Sequence, residues 1–141
     1  MKKLFLFCLI AAAAAFVSCS KDEEKGGSKQ ASIIGTWEIY KATVEYGHYT
    51  EVDNEWGEAY GYREIFEFRE NGAGVNRSME NYNGRWETDT YPFTYSLDGN
   101  KLRFDGEEMT IEKLTATEMV WMEQDYYDGE YETYRTYLKR I

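Results

Sequence analysis

The stretch REIFEFRENGAGVNRSM, residues 63–79, decides the fold. Phe66 and Phe68 alternate with Ile65, Glu67 and Arg69, and a period of two puts the two phenylalanines on one face of an extended strand. Asn71 and Gly72 follow, and both residue types tolerate the positive φ of a tight hairpin. Extended chain then resumes, so 63–69 and 74–79 are expected to be antiparallel neighbours.

The same reading extends outward. From Ile33 on, no window sustains a period of 3.6, whereas short alternating runs recur with turn chemistry between them. The spacing predicts an all-β domain with strands at 36–45, 63–69, 74–79, 91–97, 101–105, 108–114, 118–125 and 132–140. Tyr91, Phe93, Tyr95 and Leu97 share a face, as do Leu102 with Phe104 and Met109 with Ile111. Tight turns are expected at Asn71-Gly72, Asp98-Gly99-Asn100 and Thr115-Ala116-Thr117, and long loops after the first and third strands. In an up-and-down order the tight turns fall at one end and the long loops at the other. Eight antiparallel strands with one buried face leave two exposed edges unless the sheet closes. The expected architecture is a single antiparallel up-and-down eight-stranded barrel, with a two-sheet sandwich as the alternative.

Composition fits one folded domain of this kind. The 141 residues are 17% aromatic, with 13 tyrosines and one proline, too rich in packable rings for a disordered chain. The formal net charge is −10. Phosphate-backbone binding rests on clustered Lys and Arg, so nucleic acid is not an expected partner.

The N-terminus reads as an address. Met1, Lys2 and Lys3 precede an unbroken apolar run from Leu4 to Val17, 14 residues, and then Ser18 and Cys19. As a helix the run would span about 21 Å, short of the roughly 30 Å hydrocarbon core of a bilayer. Residues 1–18 are therefore expected to be an export signal and not a membrane span. Phe16-Val17-Ser18-Cys19 resembles the lipobox of bacterial lipoproteins, which implies a lipid on Cys19 as the new N-terminus. Cys8 would leave with the signal, so the mature chain would carry no free thiol. Losing Lys2 and Lys3 takes the net charge from −10 to −12. Residues 19–32 are expected to be the lipidated cysteine and a tether, because SKDEEKGGSKQ at 20–30 has no apolar side chain. Its acidic start resembles the signal that carries some lipoproteins to the outer face of the outer membrane, and a periplasmic face is the alternative.

Gly35-Thr36-Trp37 opens the first strand and resembles the G-x-W motif of the lipocalins. With the turn at Glu70-Asn71-Gly72, the segment from Tyr95 to Leu102 and the ending Tyr137-Leu138-Lys139-Arg140-Ile141, residues 33–141 resemble the small lipocalin-like domains of bacterial lipoproteins. The resemblance implies that Trp37 plugs the closed end and that Arg140 packs across it, giving Gly35, Trp37 and Arg140 structural roles. The domain is shorter than typical lipocalins, which argues against a large enclosed cavity.

Chemistry-bearing constellations are sparse. His48 is the one histidine and has no neighbouring cysteine. No nucleophile pair, phosphate loop or metal-spaced His/Cys set appears. Asp53, Glu55 and Glu58, or Asp125, Asp128 and Glu130, are oxygen ligands on glycine-bearing loops, but neither segment follows the twelve-residue calcium pattern. No catalytic residue, metal or cofactor is expected. A glycosidase would need two carboxyl groups suitably spaced in a cleft.

The residue types point to binding. Alternation puts Phe66, Phe68, Phe93, Tyr95, Phe104 and Trp121 inside the barrel, and Trp56, Trp86, Tyr126 and Tyr127 are expected at its mouth, where tyrosines and carboxylates interleave. Tyr and Trp offer large rigid surfaces with a polar tip. The leading expectation is a non-enzymatic, lipid-anchored protein that binds a small apolar or amphipathic ligand. Two alternatives stay open: the same rings fill the barrel completely, or the acidic aromatic rim recognises a protein, peptide or glycan.

Overall fold

The computed structural model describes residues 32–141, and the expectations for the export signal, for Cys19 and for the tether up to residue 31 lie outside the described residues. Nine strands follow in chain order: β1 (Gly35–Tyr46), β2 (Tyr49–Asp53), β3 (Tyr62–Phe68), β4 (Ala73–Tyr82), β5 (Arg85–Asp98), β6 (Lys101–Phe104), β7 (Glu107–Leu114), β8 (Glu118–Tyr127) and β9 (Glu130–Arg140). A 3-10 turn, Glu58–Tyr60, lies between β2 and β3. All neighbours are antiparallel, and β9 returns to pair with β1 from Trp37 opposite Arg140 to Tyr46 opposite Glu132. Eight strands thus close an up-and-down barrel, and closure removes the edges that an open sheet would expose.

The ninth strand is an arm. β1 gives its lower edge, Gly35 to Glu38, to β3, and its upper edge, Ala42 to Tyr46, to β2. Sequence reading took β2 for a loop, and the reason for the difference is that β2 is exposed along its whole length. With no dry face there is no alternation to read. The third connection is corrected likewise. β4 and β5 form one long hairpin that turns tightly at Asn83 and Gly84, where φ is 55° and 85°. The positive angles suit Asn-Gly in a two-residue turn. β8 and β9 turn as tightly at Asp128 and Gly129. The upper end is therefore elaborated by projecting hairpins and not by long loops.

The core occupies the lower half. Trp37, Phe68, Leu102, Met119 and Leu138 are its largest fully buried side chains. At the closed end the Trp37 indole donates to the Ile33 carbonyl at 2.7 Å. Arg140 lies over that ring, 4.2 Å from its centre, and donates to the carbonyls of Ser32, Ile34 and Ala116. Gly35 makes room for it: φ is 137°, and a Cβ there would stand 2.1 Å from an Arg140 nitrogen.

Outside the wall, Glu38 joins three strands. It is only 4% exposed and accepts from Arg63 on β3 at 2.6 Å and Lys139 on β9 at 3.2 Å. Burial alone would raise its carboxyl pKa, but the hydrogen bonds and charges of the two bases hold it below the ordinary range.

Candidate functional site

The barrel interior has two storeys, and β3 shows why. Phe66 and Phe68 point inward, so Glu64 and Tyr62 above them share that face. In the lower storey the rings pack on each other. Phe66 meets Trp121 edge-on at 5.2 Å, Phe68 meets Tyr95 at 5.0 Å and Phe93 at 5.4 Å, and Phe104 lies 5.1 Å from Phe93 and 5.9 Å from Trp121. Gly74 lets this happen, because a Cβ there would stand 2.2 Å from the Phe93 ring and 2.8 Å from the Glu67 carbonyl oxygen. The six interior candidates Phe66, Phe68, Phe93, Tyr95, Phe104 and Trp121 are thus one contiguous cluster.

The upper storey is polar and acidic. Asn76 donates to Glu64 at 2.6 Å, Tyr62 donates to the other oxygen of Glu64 at 2.5 Å, and Ser78 reaches the Tyr62 hydroxyl at 3.3 Å. Continuing upward, Ser78, Glu80, Tyr82, Glu87 and Asp89 surround a small cavity of about 110 Å³ between β4 and β5. Opposite, Glu123 stands on the inward face of β8. Burial pushes its carboxyl pKa up, and the charge of Glu107 adds to the shift. Burial and the bond to Glu64 raise the Tyr62 hydroxyl. Tyr46 is pushed up to about 12, first by its hydrogen bond to Glu51. Along these inward faces the basic side chains among the described residues are Arg140 at the closed end and Arg85 beside the upper turn.

Trp56 joins the two storeys. It comes from the connection between β2 and β3, packs against the ring cluster and lies 5.2 Å from Tyr62. Its indole nitrogen is buried and has no hydrogen-bond partner among the described residues. The other mouth candidates stand apart from it. Trp86 is on the outward face of β5, opposite Asn81. Tyr126 packs on Tyr131 at 4.9 Å, and Tyr127 ends β8, 72% exposed. Sequence reading missed Tyr62, Glu64, Asn76 and Ser78 as interior groups, although the parity of Glu64 with Phe66 carried the signal. His48 lies in the β1–β2 turn, and among the described residues no group of His, Cys, Asp or Glu is arranged to hold a metal.

Other cavities lie lower. One of about 730 Å³ is at the closed end, between the leader at Ile33 and Ile34 and the side chains of Tyr95, Leu97, Ile111 and Leu114. Another, of about 500 Å³, lies beside Phe93 and Pro92 on the wall.

A sequence model described as a lipocalin-like domain matches residues 33–121, that is 121 − 32 = 89 of the 141 residues. The chain belongs to the lipocalin-like domain family. Its closing strand β9 lies beyond the matched stretch, and the ladder to β1 shows that it completes the same barrel. Among solved structures, japanin from Rhipicephalus appendiculatus, bound to cholesterol, superposes on this lipocalin-like domain with a TM-score of 0.53. The match covers 82% of this chain and 80% of japanin at 7% identity, a likeness of fold. Bovine odorant-binding protein in complex with undecanal matches at 14% identity over 84% and 77% of the two chains, with a TM-score of 0.44. No curated protein matches the sequence.

Proposed function

We propose that this lipocalin-like domain is a non-enzymatic binding protein that takes a small apolar or amphipathic ligand through the open end of its barrel. The observation that carries the reading is the division of the interior into a floor of rings and an upper storey of carboxylates, tyrosines and an unpartnered indole N–H. An apolar body would rest on Phe66, Phe104 and Trp121, while a polar head would meet Glu64, Tyr62 and the Trp56 nitrogen. The family membership and the cholesterol held by japanin support the reading.

A lipid on Cys19 would tether the domain to the outer membrane, with residues 20–32 as spacer and the outer surface as the face expected from the acidic start of the tether. Ser32 lies beside Arg140 at the closed end, so the mouth would stand on the far side of the barrel from a tether that joins there.

Native mass spectrometry of the mature chain exposed to an extract of its own cells tests the binding claim. A retained small molecule is expected, and Trp56→Phe, which keeps a ring and removes the N–H, should reduce its occupancy. A bare mass from both proteins would overturn the reading.

Exposed tyrosines at the hairpin tips favour a second reading, a rim that binds a protein or glycan. A contact steered by the negative charge would weaken as salt rises, whereas apolar capture would not.

A further inference from the structure

β5 is fourteen residues long, yet its ladder to β6 takes only the last four, Tyr95 to Asp98. β4 covers one edge of residues 85–94, and among the described residues no strand pairs with the other. The outer edge of β2 and the upper edge of β8 beyond Met122 are also unpaired, but each offers only five residues, 49–53 and 123–127.

Ladder alternation says which backbone groups face this opening. In an antiparallel pair both polar groups of one residue point to the same neighbour, and those of the next residue point the opposite way. The Tyr95 N–H donates to the Gly72 carbonyl at 2.7 Å, on the β4 side. The register from there to Arg85 opposite Tyr82 is unbroken. Odd-numbered residues therefore serve β4, while Trp86, Thr88, Thr90 and Pro92 turn to the open edge. Pro92, the one proline, sits where its missing N–H breaks no ladder bond. The N–H and C=O groups of Trp86, Thr88 and Thr90 are left aimed outward in strand geometry.

We propose that this edge of β5 docks an extended, Lys- or Arg-bearing segment of another protein, which adds to the barrel wall as a further strand. Backbone bonds would supply the affinity and alternate side chains the selection. Glu87 and Asp89 flank Thr88 on the inward face, Glu80 lies opposite Glu87, and Glu107 and Glu123 also stand on inward faces. Basic side chains at alternate positions of the incoming strand meet this acidic face. Charge disfavours a second copy centred on Thr88, because pairing β5 with itself there sets Glu87 against Asp89 of the other copy twice, like charges at cross-strand distance. The chain's own residues 20–30 balance three lysines against three acids and contain no β-branched side chain. The docking edge needs no ligand inside the barrel, and it gives the protein-binding reading a definite geometry whose failure would leave ligand capture on the ring floor untouched.

The test uses the mature chain and a fluorescein-labelled peptide alternating lysine with threonine. Its controls are the same design with glutamate for lysine, and the lysine peptide N-methylated at the amides that would face β5. Anisotropy reads binding, and hydrogen exchange reads the amides of Trp86, Thr88 and Thr90. The lysine peptide should bind and protect those amides, the glutamate peptide should not bind, and methylation should weaken binding by about tenfold. Thr88→Pro removes an edge-facing N–H without touching the β4 ladder and should cost a similar factor. Should that variant misfold, the Glu87→Lys/Asp89→Lys pair should turn the preference toward the glutamate peptide. Undiminished binding of the methylated peptide would overturn edge docking while leaving rim recognition standing. Protection in β2 or in residues 123–127 instead, protection of the β5 edge without peptide, or no binding would also overturn it.

Discussion

The Arg140 guanidinium caps the Trp37 indole at 4.2 Å and in the same pose donates to three carbonyls, those of Ser32, Ile34 and Ala116. One side chain thus joins the last strand, the first strand, the leader and the β7–β8 turn. A cation–π contact and charge-assisted bonds reinforce each other at the spot where the first and last strands of the barrel must be held together.

Replacing Arg140 with Met keeps much of the packing and removes every donor. It should lower stability by about 1–3 kcal/mol. Trp37→Ala, which empties a fully buried site, should cost about 3–5 kcal/mol. Denaturant unfolding of the two variants checks both, and a midpoint unchanged in either would remove this corner from the account.

Gly74 is held by its neighbours. Gly74→Ala should cost about 1–3 kcal/mol because the Phe93 ring must move. Combining it with Phe93→Leu should cost less than the sum of the single changes. Strict additivity in a double-mutant cycle would show that the ring and the glycine do not confront each other.

Two carboxylates should give opposite pH behaviour. Glu38 has its pKa lowered by folding, so its contribution is full above the unfolded value and is lost as pH falls through the folded one. Glu38→Gln should therefore lower the melting temperature at neutral pH, with the deficit closing in acid. Glu123 is raised, so its favourable contribution is present below the unfolded value and lost as pH rises through the folded one. Glu123→Gln should raise the melting temperature at neutral pH and be silent in acid. Melting scans across the carboxylate range would show the two curves diverging, and parallel curves would contradict both assignments.

If Cys19 carries the anchor, Cys19→Ala should move the protein from the membrane to the soluble fraction, and protease added to intact cells should remove the wild-type domain. Membrane retention of the variant would end the lipoprotein reading. Protection from protease equal to that of a periplasmic control would place the domain on the inner side.

Legibility in the sequence tracked dryness. Where one face is dry, as for Phe66 and Phe68 or Leu102 and Phe104, alternation marked both the strand and its inward side, and closure of eight such strands followed. β2 and the upper half of β4 and β5 are wet on both faces, so only the ladder and the turn at Asn83 and Gly84 hold them extended. Trp56 was legible as a ring but not as a half-buried one, because its cover depends on Tyr62 and the cluster beneath it and not on any local period. Glu64 was hidden by its polarity. It shares the face of Phe66, but only the height of the ring layer shows that this face continues upward as an acidic storey.

On this reading a small ligand enters from the open end and rests between the ring floor and the acidic storey. Nuclear magnetic resonance shift mapping of the mature chain, titrated with the small-molecule fraction of its own cells, should show shifts at the Trp56 indole N–H and at the amides of Tyr62, Glu64, Asn76 and Glu123. Shifts confined to the closed-end cavity around Ile33, Leu97 and Leu114, or none at all, would contradict it.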